Sequence, residues 1–214
     1  SGLVGSEMCI RDRWNAGGRK IARACEASLR RLNTDYLDLY LLHWRGDYSL
    51  QETVAGMEAL VAQGKIRRWG VSNLDEDDMQ QLWQVEGGEQ CATNQVLYHL
   101  ASRGIEYDLL PWCQQRRLPV MAYCPLAQAG RLRNGLLNHT VVKNIAQERG
   151  VTAAQILLAW VISRREVLAI PKASSIEHVA QNAAALDIVL NDEELALLDK
   201  AYPAPARKTP LDMV

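Results

Sequence analysis

Apolar residues in the first part of the chain follow a helical period and then form one short, nearly unbroken run. Apolar or small side chains recur every three or four positions, at Ile21, Cys25, Ser28, Leu29 and Leu32, which predicts one face of a helix that ends at Asn33. Residues 35–44, DYLDLYLLHW, follow. A run of this length predicts a strand buried on both faces, with His43 and Trp44 at its carboxyl end.

The alternation of helix and strand continues to the end of the chain. Short apolar runs predict further strands at residues 66–73, 91–99, 120–126 and 167–172. Helices are predicted between them, several with an N-terminal capping pattern: Ser49 with Glu52, Thr152 with Gln155, Ser174 with Glu177, and Asn191 with Glu194. Residues 127–135 are predicted to form a loop with two arginines. Five strands that alternate with helices indicate an α/β protein with a parallel sheet.

The composition excludes several classes of partner. A net charge of −1 over 214 residues, without any run of five like charges, is not the electrostatic footprint of a nucleic-acid or membrane-surface binder. We therefore expect a small-molecule partner. The five cysteines form no C-x-x-C pair, and no histidine lies at metal-binding spacing from any of them. This pattern predicts a reduced, cytoplasmic protein without a metal site.

Neither a membrane span nor a signal peptide is expected. The most apolar long segment, residues 151–162, is shorter than the roughly 20 residues that a spanning helix needs. Residues 1–13 lack the ordered regions of a signal peptide and do not lead into the helical pattern that follows. We expect a non-native or disordered leader at residues 1–13 and one folded domain at residues 14–214. No G-x-G-x-x-G follows any predicted strand, so a Rossmann domain has no support.

Polar or aromatic side chains stand near the end of each predicted strand, and each has an ordinary explanation when it is considered alone. His43 could be a hydrogen-bonded core histidine. Ser72 and Asn73 could cap the next helix, and Trp44 and Tyr123 could be core aromatics. In an α/β barrel, however, the carboxyl ends of the strands form the active face, so a functional site is the competing interpretation.

The strand ends, taken in order, resemble one family. The motifs LLHW, GVSN, TNQVLYH, AYCPL and AIPKASS are together similar to those of the aldo-keto reductase family, from about Trp14 to the C-terminus. The resemblance implies a (β/α)8 TIM barrel, present here as an incomplete barrel of about five parallel strands with flanking helices. It also implies a nicotinamide cofactor and a catalytic Asp, Tyr, Lys and His. His43 matches the catalytic histidine, and Trp44 matches a residue that walls the substrate pocket.

The resemblance also implies a binding site for the nicotinamide part of the cofactor. Ser72, Asn73 and Gln95 match positions that hydrogen-bond the carboxamide, and Tyr123 matches the aromatic ring that stacks on the nicotinamide. Pro125 and Leu126, in the same AYCPL motif, are assigned to cofactor binding as well. Cys124 stands where the family often has serine, and the loop at residues 127–135 matches one that covers the pyrophosphate.

The segment after the last predicted strand is expected to select the cofactor. Lys172 and Ser174 stand beside a predicted helix N-terminus, whose amides and dipole favour a phosphate, and in the family this is the site of the adenosine 2′-phosphate. His178 stands where many members have arginine, and Gln181 and Asn182 match adenine contacts. These residues predict a preference for NADPH over NADH that strengthens as the pH falls and His178 gains charge.

The family's Asp, Tyr and Lys lie on strands upstream of everything in this chain, and no tyrosine here takes the role of proton donor. We therefore expect the parent protein to be an NADPH-dependent oxidoreductase that reduces small aldehydes and ketones to alcohols, and this chain to be an inactive fragment of it. One alternative is an NADPH-binding regulatory or sensor subunit without turnover. Another is a different (β/α) barrel enzyme that uses the last helix to bind a phosphate of its substrate.

Overall fold

The computed structural model describes residues 18–213, with side chains from residue 20. The leader predicted for residues 1–13 lies outside these described residues.

Residues up to Gln95 form one compact unit, and a second begins at Val96. The first unit contains α1 Gly18–Leu32, β1 Leu37–Leu42, α2 Leu50–Ala62, β2 Ile66–Ser72, α3 Glu76–Gln84 and the first half of β3 Asn94–Leu97. The second contains α4 Leu109–Gln115, β4 Val120–Tyr123, α5 Arg131–Asn138, α6 Thr140–Arg149, α7 Ala153–Ile162, β5 Val167–Ala169, α8 Ile176–Ala184 and α9 Asp192–Ala201.

The strands form one sheet in chain order, β1-β2-β3-β4-β5. β2 pairs in parallel with β1 and with β3, and β4 pairs in parallel with β5. The α/β class with five parallel strands and flanking helices is therefore confirmed. In the register of β2 and β3, Ser72 lies opposite Gln95, so two of the predicted site residues are neighbours across the strands.

The helices of the first unit follow the capping signals in the sequence. The predicted apolar face of α1 is buried, with Cys25 fully inaccessible, and Asn33 ends the helix in the left-handed region at φ 52°. Ser49 and Glu52 form the predicted capping box of α2. Gly64 then adopts φ 69°, a conformation that glycine reaches without steric cost. Both helices thus begin or end where local chemistry predicts.

The prediction that β1 is buried on both faces is wrong for its first half. Tyr40 and the residues after it in β1 are buried, but Asp38 is exposed. Asp38 accepts a hydrogen bond of 2.8 Å from Arg67 on β2, and the guanidinium of Arg67 lies 4.3 Å from the ring centroid of Tyr36. The side of the amino-terminal half that carries Asp38 is therefore exposed, whereas Leu37 beside it is buried.

In the second unit, α7 is the central core helix. Its residues from Gln155 to Val161 are all buried, which explains why its sequence is apolar on every side. The predicted capping box of Thr152 and Gln155 is present at its start. Trp160 is fully buried, and the guanidiniums of Arg103 and Arg164 lie 5.1 Å and 4.7 Å from its ring centroid.

Several boundaries in the second unit differ from the predictions. The loop predicted for residues 127–135 ends early, because Gly130 at φ 106° starts α5 at Arg131. This helix has one buried residue, Leu136, so its apolar pattern was too weak to be recognised. The cap of α8 is Ser175, not Ser174, because the Ser175 hydroxyl accepts a hydrogen bond from the amide of His178 at 3.2 Å. The strands β3, β4 and β5 are also shorter than predicted.

Candidate functional site

Four of the predicted site residues in the first unit are joined by hydrogen bonds at the carboxyl ends of the strands. We call His43, Ser72, Asn73 and Gln95 the strand-end cluster. The Ser72 hydroxyl donates to the carbonyl of Gln95 at 2.8 Å, and the backbone amide of Asn73 donates to the same carbonyl at 2.9 Å. The Asn73 side-chain amide donates to Ser72 Oγ at 3.2 Å and to the carbonyl of His43 at 3.4 Å. The ends of β1, β2 and β3 are thus connected through the side chains of Ser72 and Asn73 and the backbone amide of Asn73.

A turn in the left-handed region places Asn73 at the centre of this cluster. Asn73 has φ 57°, a conformation that asparagine tolerates better than most other residues. Leu74 directly after it is fully buried, and Asp75 caps α3 by accepting from the amide of Asp78 at 2.9 Å. The expectation that Ser72 and Asn73 are the caps of this helix is therefore wrong, and Asp75 has that role.

Glycine is required two residues before the cluster. A Cβ on Gly70 would lie 2.7 Å from the carbonyl oxygen of Thr93 and 2.8 Å from Leu41 Cδ2. Real side chains essentially never approach so closely, so β2 can lie this near its neighbours only without a side chain at this position. The spacing of the strand ends in the first unit depends on this residue.

The members of the strand-end cluster differ in how much they meet solvent. Ser72 is only 1 % exposed and Gln95 6 % exposed, whereas Asn73 and His43 are partly exposed. A serine hydroxyl has one proton, and that of Ser72 is given to Gln95. Ser72 therefore acts mainly as a buried link, and Asn73 and His43 are the members of the cluster that solvent reaches.

His43 and Trp44 lie in a loop that α3 holds in place. Their rings meet edge to face, with centroids 5.4 Å apart and planes at 69°, and both side chains are partly exposed. The next residue, Arg45, forms an ion pair with Asp78 and donates to Gln81 Oε1 at 2.9 Å. This loop can therefore present an imidazole beside an indole wall, as a substrate pocket requires.

In the second unit, the AYCPL motif forms the end of β4 and a tight turn. Tyr123 is the last residue of β4 and is partly exposed. Cys124 has φ 49°, and its carbonyl accepts from the amide of Ala127 at 2.8 Å. Pro125 and Leu126 occupy the middle of this turn and are buried, so they shape the turn more than they offer surface. Burial raises the pKa of the Cys124 thiol.

The region after β5 is open to solvent. We call residues 170–182 the β5–α8 segment. Lys172, Ser174 and His178 are exposed, and every residue of α8 is at least partly exposed. His178, Gln181 and Asn182 are spaced three and four residues apart, which places them on one side of the helix. The segment thus combines an exposed lysine with the exposed N-terminus of a helix, a combination that suits an anion.

Sequence reasoning missed one polar residue close to the cluster. Asn94, directly before Gln95 in β3, is fully buried, and its Nδ2 donates to the carbonyl of Leu74 at 2.7 Å. The available signal was the polar pair Asn94-Gln95 in a strand that is otherwise apolar. Of this pair, the family resemblance assigns only Gln95 to cofactor binding.

Two further properties hold for the part of the chain that the structure describes. No helix between residues 18 and 213 is long and apolar enough to cross a membrane. Within the same range, no group of three or more His, Cys, Asp or Glu side chains is placed to hold a metal ion. The cysteines at 25, 91, 113 and 124 are free thiols.

The chain is similar in sequence to known proteins of one family. The profile of the Aldo/keto reductase family matches residues 10–203. Methylglyoxal reductase YeaE of Escherichia coli (strain K12) is 73 % identical over 201 residues, which are 94 % of this chain and 71 % of that protein. Glyoxal reductase of Bacillus subtilis (strain 168) is 32 % identical over 93 % of this chain and 70 % of its own length.

The structural comparison agrees with the sequence comparison. A crystal structure of an aldo-keto reductase from Klebsiella pneumoniae in complex with NADPH superposes with a TM-score of 0.92, at 74 % identity, over 94 % of this chain and 71 % of that chain. A crystal structure of an aldo/keto reductase from the same organism with NADP and acetate also gives 0.92, at 73 % identity and the same coverage. The chain belongs to the aldo/keto reductase family.

Proposed function

We propose that this chain is the cofactor-binding part of an NADPH-dependent reductase that converts small carbonyl compounds to alcohols. The observation that carries the proposal is the hydrogen-bonded strand-end cluster of His43, Ser72, Asn73 and Gln95. Membership of the aldo/keto reductase family supports it, as do relatives named methylglyoxal reductase and glyoxal reductase. The names of these relatives favour 2-oxoaldehydes as the substrate class. The cytoplasmic location of the protein stays a prediction.

The polar groups of the cluster fit a nicotinamide carboxamide. A primary carboxamide has two N–H donors and one carbonyl acceptor, and the side chains of asparagine and glutamine offer the complementary pair. Asn73 is already oriented by its bonds to Ser72 and His43. A side chain that is held in place before the ligand arrives loses less conformational entropy on binding.

The exposed β5–α8 segment fits the adenosine 2′-phosphate. Lys172 brings a positive charge, and the first amides of α8 point out of an exposed helix end. One hydrogen bond to a charged group contributes roughly 1.5 to 3 kcal/mol, so Lys172 alone is able to set a preference for NADPH. Ser174 and His178 add a hydroxyl and an imidazole beside it.

The chain's own residues prepare the carbonyl for reduction. Bound NADPH supplies a hydride to the carbonyl carbon. The imidazole of His43 donates a hydrogen bond to the carbonyl oxygen, which orients the substrate and stabilises the charge that develops there. Trp44 covers the substrate and keeps water away from it, and Arg45 holds the loop of both residues against α3.

A proton donor of the family type is not assigned among the tyrosines of this sequence. Tyr40 is buried inside β1, and Tyr36 lies before the strand's amino end, beside Arg67. We therefore propose that the 214-residue polypeptide alone binds NADPH but reduces carbonyls slowly or not at all. The same observation favours the second candidate, a subunit that binds NADPH as a sensor.

The first experiment is calorimetric titration of the 214-residue chain with NADPH, followed by NADPH oxidation in the presence of methylglyoxal. We expect saturable binding and turnover far below the ordinary enzyme range of about 1 to 1,000 per second. No binding at millimolar NADPH refutes the proposed function. Turnover in the ordinary range refutes the inactivity of the chain but supports the reductase.

A second experiment separates the reductase from the sensor. The source DNA upstream of the codon for Trp14 is sequenced, and any longer open frame is expressed and assayed with methylglyoxal. Carbonyl-dependent NADPH oxidation that drops in a His43→Ala variant, but not in the control His139→Ala, supports the reductase. Binding of NADPH without any carbonyl-dependent oxidation in the longer protein supports the sensor.

A further inference from the structure

The buried asparagine before the cofactor-binding glutamine has a defined role in the geometry of the first unit. Asn94 has no exposed surface, and burial of a primary amide is costly unless its polar groups are hydrogen-bonded. Its Nδ2 donates to the carbonyl of Leu74 at 2.7 Å. Among the described residues, its Oδ1 has no hydrogen-bond partner. The side chain is thus oriented by a single short bond.

That bond holds the far side of the turn that presents Asn73. Asn73 is in the left-handed region at φ 57°, directly after the end of β2 at Ser72 and before the start of α3 at Glu76. On its near side the turn is tied to β3 by the amide of Asn73 and the hydroxyl of Ser72, both on the Gln95 carbonyl. On its far side, Asn94 binds the Leu74 carbonyl.

Consecutive residues of one strand therefore fix both ends of the turn. Gln95 supplies the carbonyl that accepts from Ser72 and Asn73, and Asn94 supplies the donor for Leu74. Successive side chains of a strand point to opposite faces. The Asn94 side chain therefore faces the turn, and the Gln95 side chain faces the proposed ligand position. The carbonyl at position 95 belongs to the backbone, so it is present whatever the side chain, whereas a strand without the Asn94 side chain would leave the turn attached on one side only.

We propose that Asn94 is a positioning residue for the nicotinamide end of the cofactor. Its amide holds Leu74 so that the Asn73 side chain stays in the orientation in which it meets the carboxamide. Asn94 itself does not touch the cofactor. The inference rests on the proposed function, because it assumes that the strand-end cluster binds nicotinamide.

The test compares two ligands that differ only in the presence of the nicotinamide ring. NADP⁺ and 2′-phospho-ADP-ribose, which lacks nicotinamide, are titrated calorimetrically into the wild-type chain and the Asn94→Leu variant. Leucine has almost the shape of asparagine but no donor. We expect the variant to bind NADP⁺ about tenfold more weakly, the loss of about one hydrogen bond, and 2′-phospho-ADP-ribose within about twofold of wild type.

Two further variants distinguish a selective loss of NADP⁺ affinity from a general loss of stability. Asn94→Asp keeps the shape of the side chain and replaces the donor, and we expect it to lose NADP⁺ affinity in the same selective way. Trp69→Phe is the control, since it removes a buried hydrogen bond from the same sheet, that of Trp69 Nε1 to Glu58. It should keep the wild-type ratio of the two affinities. Because each ratio comes from one preparation, an unfolded fraction cancels out.

The outcomes distinguish this inference from the proposed function. If wild type binds both ligands equally, nicotinamide makes no contact and the proposed function fails. If wild type prefers NADP⁺ and the Asn94 variants keep that preference, or lose both affinities equally, Asn94 has no positioning role. A ratio that falls in the two Asn94 variants but not in Trp69→Phe supports it.

Discussion

The strand-end cluster and the β5–α8 segment are both assigned to the same cofactor, but they are built in opposite ways. The cluster is mostly buried and joined by hydrogen bonds between strands, whereas the segment is exposed and held mainly by one helix cap. Changes in the first region should therefore alter folding together with binding. Changes to the exposed side chains that meet the ligand in the second should alter binding with little effect on folding.

The largest effect is expected from breaking the buried region through its backbone. In Gly70→Ala the new methyl group would overlap Thr93 and Leu41, and overpacking of this kind costs about 1 to 3 kcal/mol or more. Urea unfolding of the chain measures the loss. Gly135→Ala is the control, because no atom lies within 4 Å of its new Cβ, and it should be neutral or stabilising. Equal midpoints for the two variants would show that the strands can move apart at no cost.

Acid should weaken the second unit through a buried histidine that lies outside the β5–α8 segment. Burial lowers the pKa of His99 to about 4, although nearby Asp212 opposes the shift. The unfolded chain therefore takes up a proton near the ordinary pKa of about 6.5, while the folded chain does so only near 4, and stability should fall by up to about 3 kcal/mol as the pH drops through this window.

His99→Asn tests this pH dependence. The new Oδ1 can still accept from the amide of Ala101, as His99 Nδ1 does at 3.2 Å, but it does not titrate. We expect the variant to lose less stability than wild type between about pH 6.5 and pH 4, measured by thermal unfolding. Parallel curves for the two proteins would mean that other groups carry the acid sensitivity of this unit.

In the exposed region, Lys172→Ala should change affinity and leave folding intact. Loss of one hydrogen bond to a charged phosphate reduces the preference for NADPH over NADH by about 10- to 150-fold. Calorimetric titration with both cofactors measures the ratio, and thermal unfolding should be unchanged. Lys143→Ala on α6, also exposed, is the matched control for a general loss of positive charge. A preference that survives Lys172→Ala would move the phosphate contact to other residues.

The smallest effect concerns the cap that starts α8. Ser175→Ala removes the hydroxyl that accepts from the amide of His178, and loss of an N-cap costs about 1 kcal/mol. Ser174→Ala is the matched control, because Ser174 is exposed and is not the cap. Hydrogen exchange of the α8 amides should accelerate only in the first variant. If both variants exchange alike, the cap contributes nothing measurable to the helix.

Local chemistry in the sequence accounts for much of the fold. Caps such as Ser49 and Asn191 and stops such as Asn33 act through hydrogen bonds and backbone conformations within a few residues, so they can be recognised without a structure. The five strands and their order along the chain were predicted from short apolar runs, which are also a local feature of the sequence. The strand-end motifs indicated the family, which the comparisons confirmed.

Other features depended on contacts between residues far apart in the chain. Asp38 lies inside an apolar run but is exposed and pairs with Arg67 on the neighbouring strand. The positions of the site residues in the sequence determined which polar groups are available. Only the tertiary structure decided that Ser72 is a buried link and that Asn94 holds the turn, because both roles rest on hydrogen bonds to partners about 20 residues away.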